Sequence, residues 1–122
     1  MPLRRLLSQL CLISFIFVAG AGSMWAHAVL VSSTPKADSV VNSGDVPISL
    51  TFNSKVDQAR STLTLEGPDH ASAPVPIEKS ESNPAQLAGR IAGLKPGAYK
   101  LHWQVLAVDG HITRGQLSFT VK

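Results

Sequence analysis

The short sequence Asp109-Gly110-His111 offers a carboxylate and an imidazole that could bind a metal ion. In extended backbone, residues two apart lie on the same face of a strand. Gly110 lets the chain bend close to a bound ion, because glycine adopts conformations that other residues avoid. Asp-Gly is also a common turn sequence. These two residues alone are therefore a weak indication of a metal site.

His27 strengthens the indication if it is the first residue of the mature chain. An N-terminal histidine can chelate one metal ion through its α-amine and its ring Nδ1. The amine has an ordinary pKa of about 7.7–8.0, so it must lose its proton to bind. With His111 and Asp109 added, the donors are nitrogen and oxygen in a set that favours Cu(II). Alternatively, His27 is simply the start of a strand, and composition does not decide between the two.

The first 26 residues have the layout of a secretory signal peptide. Arg4 and Arg5 precede a short apolar run over residues 10–18, and small residues follow before Met24-Trp25-Ala26. The run is shorter than the roughly 20 apolar residues that span a membrane. We predict a signal peptide over 1–26 and a periplasmic domain over 27–122. Cleavage after Ala28 or Ala21 also fits sequence rules, and cleavage after Ala28 would remove His27.

The predicted mature part is a single small domain without cysteine or methionine, because Cys11, Met1 and Met24 all precede it. Its core must therefore hold without disulfides. Without Arg4 and Arg5, the eleven Lys and Arg become nine, against eight Asp and Glu. This near balance and the lack of a basic cluster give no indication of nucleic-acid binding. The sequence also lacks a Gly-rich phosphate loop and a Gly-x-Ser-x-Gly motif.

Alternating apolar and polar residues predict an all-β fold. The alternation covers residues 48–52, 62–65, 99–105 and 117–121, and turn sequences rich in Gly, Pro, Asn and Asp separate these runs. We expect a long loop over 67–84 around one short strand near 75–79. In the third run His102 should face outward and Trp103 should lie in the core. His70, in the long loop, should be solvated.

Five segments of the chain resemble, in order, the CopC family of periplasmic copper-binding proteins. They are His27-Ala28-Val29-Leu30-Val31-Ser32-Ser33-Thr34-Pro35, Ile48-Ser49-Leu50-Thr51-Phe52, Leu94-Lys95-Pro96-Gly97-Ala98-Tyr99-Lys100-Leu101-His102-Trp103, Val108-Asp109-Gly110-His111, and Phe119-Thr120-Val121-Lys122. The resemblance covers the whole predicted mature chain.

The resemblance implies a seven-stranded, Greek-key, immunoglobulin-like β-sandwich. It implies cleavage that exposes His27 and Cu(II) ligation by His27 through amine and ring, by Asp109 and by His111. The family is non-catalytic and serves copper binding, delivery or resistance in the periplasm. Its members often act beside a CopD-like inner-membrane copper transporter. We expect a monomer that binds one Cu(II).

Two departures from the family pattern limit these expectations. Some members bind Cu(I) through methionines and a histidine in a loop, whereas here that loop holds His70 and no methionine. Cu(I) prefers soft sulfur ligands, so we predict a protein specific for Cu(II). Some members also carry a glutamate near the end of the second strand, where this chain has Asn53-Ser54-Lys55. The copper site is then less anionic or is completed by water.

Two other functions are compatible with these residues. A terminal histidine and a second histidine also form the copper brace of oxidase or monooxygenase enzymes. Those enzymes generally present a flat aromatic face, and here all four aromatics after residue 26 are predicted to face inward, namely Phe52, Tyr99, Trp103 and Phe119. The anionic Asp109 should also favour Cu(II) and slow redox cycling. The other alternative is a metal-free β-sandwich that serves as an interaction module.

Overall fold

The computed structural model describes residues 28–122, and these residues contain eight β-strands and no helix. The strands are β1 (Leu30–Thr34), β2 (Val40–Val41), β3 (Gly44–Phe52), β4 (Thr62–Glu66), β5 (Ser72–Val75), β6 (Gln86–Leu94), β7 (Gly97–Leu106) and β8 (Ile112–Val121). One sheet has the order β1-β3-β6 and the other β2-β8-β7-β4-β5. The chain crosses between the sheets after β1, β2, β3, β5 and β6. The predicted all-β sandwich is confirmed.

The core lies between the two sheets and consists of the inward members of each alternating run. In β3 the buried residues are Val46, Ile48, Leu50 and Phe52, and their neighbours Asp45 and Pro47 are exposed. β7 and β8 contribute the facing side chains Tyr99, Leu101, Val105, Leu117, Phe119 and Val121. Each large apolar side chain that is fully buried stabilises the fold by about 1.5–3 kcal/mol. Packing of these residues replaces the disulfides that the domain lacks.

Tyr99 forms the corner that is typical of immunoglobulin-like sandwiches. It lies near the start of β7, and its hydroxyl donates a hydrogen bond of 2.7 Å to the carbonyl oxygen of Lys95, four residues upstream. Its ring stacks on Phe119 of β8, with 5.6 Å between the ring centroids and 15° between the planes. The hydrogen bond and the stack together fix the connection between β6 and β7.

The prediction of seven strands is wrong by one, because the first strand is divided between the two sheets. β1 pairs with β3, and the chain then turns at Pro35, which has no N–H to donate to a ladder. Asp38 N–H bonds to the Ser118 carbonyl at 2.7 Å, which brings the chain onto the other sheet. There Val40 and Val41 run parallel to the end of β8.

The region between β4 and β7 also differs from the prediction. The short strand expected near 75–79 is β5 at Ser72–Val75, and Glu78 makes only an isolated bridge to Ala88. The strand ends at Val75, directly before Pro76. The alternation did not predict β6 (Gln86–Leu94), whose small residues give little contrast between its two faces.

Trp103 packs against the core as predicted but remains partly exposed. Its indole makes an edge contact with Phe52, with 6.5 Å between the ring centroids. It also covers Gly115, its partner in β8, so closely that a Cβ at that position would overlap the indole. Gly115 is therefore required by packing and not by backbone conformation.

We expect Gly115→Ala to lower the free energy of unfolding by about 1–3 kcal/mol, since an added methyl group overpacks this contact. Urea denaturation measures the change. The same substitution in a Trp103→Leu background should cost much less, because the overlapping ring is gone. An equal cost in both backgrounds would show that the indole is not the cause.

Candidate metal centre

The β7–β8 connection is a five-residue hairpin loop, residues 107–111, that brings Asp109 and His111 together. Gly110 N–H bonds to the Ala107 carbonyl at 2.9 Å, and Ala107 N–H bonds to the His111 carbonyl at 2.9 Å. Gly110 has a φ of 91°. These features describe a tight turn closed by a glycine in the left-handed region. Gly110 thus allows the turn to form, and the turn brings Asp109 and His111 into contact.

Asp109 and His111 interact through both oxygens of the carboxylate. Oδ1 accepts the backbone N–H of His111 at 3.0 Å, and Oδ2 lies 3.2 Å from the ring Nδ1. The two side chains are partly open to solvent, with 39% of Asp109 and 54% of His111 exposed. A carboxylate at Nδ1 fixes the orientation of an imidazole that binds a metal through Nε2. Each carboxylate oxygen also has a second lone pair that could reach a metal.

His27, the third predicted ligand, lies outside the described residues, but the chain that follows it is well anchored. Ala28 is 1% exposed. Val29 N–H donates to Asn53 Oδ1 at 2.8 Å, and Asn53 N–H donates to the Val29 carbonyl at 2.9 Å. Asn53 therefore clamps the backbone two residues after His27. The sequence marked Asn53 only as a departure from the family, and this contact was not predicted.

The segment after β3 links this N-terminal stretch to the β7–β8 turn. Val56 forms a bridge with Ala107, and Asp57 N–H bonds to the Leu106 carbonyl at 2.8 Å. Residues 53–57 thus contact both the start of the described chain and the base of the turn. The N-terminal stretch and the pair Asp109–His111 consequently lie at the same end of the sandwich.

Within residues 28–122, no three side chains of His, Cys, Asp or Glu are grouped so that they could hold a metal ion. A carboxylate oxygen of Glu66 lies 3.9 Å from His70 Nδ1 and the other lies 4.0 Å from His102 Nε2, so both separations exceed the length of a hydrogen bond. His70 is 84% exposed, and His102 lies on the outer face of its sheet. Both positions agree with the predictions. Among residues 28–122, no third side chain of these types therefore joins Asp109 and His111.

A buried hydroxyl lies next to this pair. Thr113 Oγ1 is shielded from solvent and has no hydrogen-bond partner among the described residues. A buried polar group without a partner costs about 1–3 kcal/mol. The buried hydroxyl of Ser61, by contrast, donates to the Asp57 carbonyl at 2.6 Å and accepts from Leu106 N–H at 3.1 Å. Sequence reasoning missed Thr113, because only the strand register shows which way it faces.

Comparison with known proteins identifies the family. Residues 30–122 match the CopC domain. The chain belongs to the CopC family. It is 36% identical to protein YobA of Escherichia coli K12 over 102 residues, which are 82% of each chain. The match to the CopC domain begins at Leu30 and therefore does not include position 27.

Solved structures of CopC proteins share this sandwich. CopC from Methylosinus trichosporium OB3b superposes with a TM-score of 0.71 at 28% identity, covering 79% of this chain and 94% of that one. PcoC from Escherichia coli, a methionine-rich copper resistance protein, gives a TM-score of 0.61 at 32% identity, covering 80% of this chain and all of PcoC. The described residues here contain no methionine. The likeness to copper resistance proteins supports the prediction of a non-enzymatic CopC protein.

The described residues contain no helix that is long and apolar enough to cross a membrane.

We expect Asn53→Ala to lower the free energy of unfolding by about 1 kcal/mol, because the Val29 N–H loses its acceptor. Hydrogen exchange at the Val29 amide should become faster. Asn42→Ala, at an exposed asparagine between β2 and β3, is the matched control and should change neither quantity. Unchanged exchange at Val29 in Asn53→Ala would show that this side chain does not anchor the N-terminal stretch.

Proposed function

We propose that this CopC protein is exported to the periplasm and there binds one Cu(II) ion for copper homeostasis or resistance. The observation that supports this most strongly is the pair Asp109–His111, held by a tight turn at the end of the sandwich where the described chain begins. Removal of residues 1–26 as a signal peptide would make His27 the N-terminus of the mature chain. Ala28 and Val29, which follow it, are anchored at this same end.

Each proposed ligand has a distinct part in binding. The α-amine and ring Nδ1 of His27 form a chelate, and His111 adds a third nitrogen. With its Nδ1 directed at Asp109, His111 would bind copper through Nε2. Asp109 orients that ring and supplies an anionic oxygen. A planar set of nitrogen and oxygen donors favours Cu(II) among the common divalent ions.

The composition of the domain supports Cu(II) and not Cu(I) as the bound ion. Cu(I) selects thiolate and thioether ligands, and residues 28–122 contain neither cysteine nor methionine. The carboxylate of Asp109 further favours the more highly charged ion. The protein would act as a monomer that sequesters Cu(II) or delivers it, with a CopD-like inner-membrane transporter as the receiving partner.

Separate substitutions of His111 and His102 distinguish the loss of a copper ligand from the general effect of removing a histidine. His111→Ala should weaken Cu(II) binding by about 100-fold or more. Changes to residues that only contact a metal ligand typically weaken metal binding by about 10–100-fold, and loss of a ligand itself should have a larger effect. His102→Ala, on the outer face of β7, should bind as the wild type does. A competition titration with a chelator of known affinity measures both.

The fold of His111→Ala should be intact, since the side chain is half exposed and lies in a loop. Thermal unfolding of the copper-free variant checks this. Wild-type affinity in His111→Ala, or equal losses in both variants, would contradict the proposed site. A wild-type protein that binds no copper would leave a metal-free sandwich, whose use as an interaction module would then be the better interpretation.

A further inference from the structure

Thr113 lies on the inner face of β8, on the same side as His111. In β8 Ile112 and Arg114 are exposed, and Leu117 is buried, so odd-numbered residues face the core. Thr113 pairs with Val105, which is fully buried. His111 is two residues earlier, opposite the buried Ala107. Two residues of a strand span about 7 Å, so the Thr113 side chain follows that of His111 at about this distance along the same face.

No residue in the described range 28–122 provides a hydrogen-bond partner for the Thr113 hydroxyl. Val105 across the ladder is apolar, and Gly115, the next inward position of β8, is covered by the indole of Trp103. The His111 ring directs its Nδ1 to Asp109. Valine would fill the same volume without burying a hydroxyl, so threonine is the costlier residue here in the copper-free protein. A hydrogen-bond partner that is present only in another state of the protein would offset this cost.

We propose that Thr113 is a positioning residue of the copper site, and that its Oγ1 accepts a hydrogen bond from a copper ligand that carries a proton. This inference rests on the proposed function. Two ligands have the required chemistry: the α-amine of His27 and a water molecule that completes the coordination. Coordination to Cu(II) polarises an N–H or O–H bond, and hydrogen bonds from charged groups are stronger than neutral ones. Partners of this kind orient the ligands and typically change metal affinity by 10–100-fold.

The experiment compares Thr113→Val with Thr113→Ser in the exported protein. Without copper, Thr113→Val should raise Tm by about 4–8 °C, since removal of a buried unpaired hydroxyl stabilises a domain of this size by roughly 1 kcal/mol. With copper, the same variant should bind Cu(II) about 10–100-fold more weakly than the wild type. Thr113→Ser keeps the hydroxyl and should retain affinity within about threefold. A purely structural role would not move stability and affinity in opposite directions.

Pulsed electron paramagnetic resonance of the Cu(II) protein in water labelled with ¹⁷O distinguishes the two ligands. If water is the partner, Thr113→Val should alter or lose the ¹⁷O coupling. If the amine is the partner, the ¹⁷O coupling should stay the same and a ¹⁴N coupling should change. Identical spectra of the wild type and Thr113→Val would overturn the proposal.

Two further results would also overturn the inference. A lower Tm for copper-free Thr113→Val would show that the hydroxyl already has a structural partner. Equal losses of affinity in Thr113→Val and Thr113→Ser would show that shape, and not the hydroxyl, is what matters. The wild-type titration keeps this test separate from the proposed function: if the wild type binds Cu(II) and Thr113→Val matches it, only the role of Thr113 fails.

Discussion

The arrangement at one end of the sandwich depends on the segment that follows β3. Asn53 exchanges two hydrogen bonds with Val29, and Val56 and Asp57 pair with the end of β7. One short stretch of backbone therefore ties the first described residues to the base of the β7–β8 turn. This stretch follows β3, which is the central strand of its sheet and buries its inner face against the other sheet. Any site that combines the N-terminal stretch with Asp109 and His111 requires this stretch of backbone.

The turn and the metal interpretations of Asp109-Gly110-His111 are compatible in this structure. Gly110 adopts the left-handed conformation that closes the hairpin. This turn places the carboxylate of Asp109 next to the backbone N–H and the ring of His111. The same geometry limits what the pair does alone. It provides an oriented imidazole and one carboxylate, and residues 28–122 group no third His, Cys, Asp or Glu side chain with them.

The features that the sequence predicted are those set by periodicity. Alternation in β3, β7 and β8 placed Phe52 and Tyr99 inward and His102 outward, because burial of one face determines the register of a strand. The features that it missed depend on tertiary pairing. β2 is a strand only because it lies against β8, and β6 has too many small residues for alternation to be visible. The clamp by Asn53 and the orientation of Thr113 likewise follow from which strands are neighbours, which a single sequence does not specify.

We propose that His27 is the first residue of the exported protein and completes a Cu(II) site with Asp109 and His111. The most direct test is the intact mass of the protein recovered after export, before and after one equivalent of Cu(II) at neutral pH. We expect a chain of residues 27–122 that gains one copper ion. A chain that begins at another residue, or one that begins at His27 and retains no copper, would contradict it.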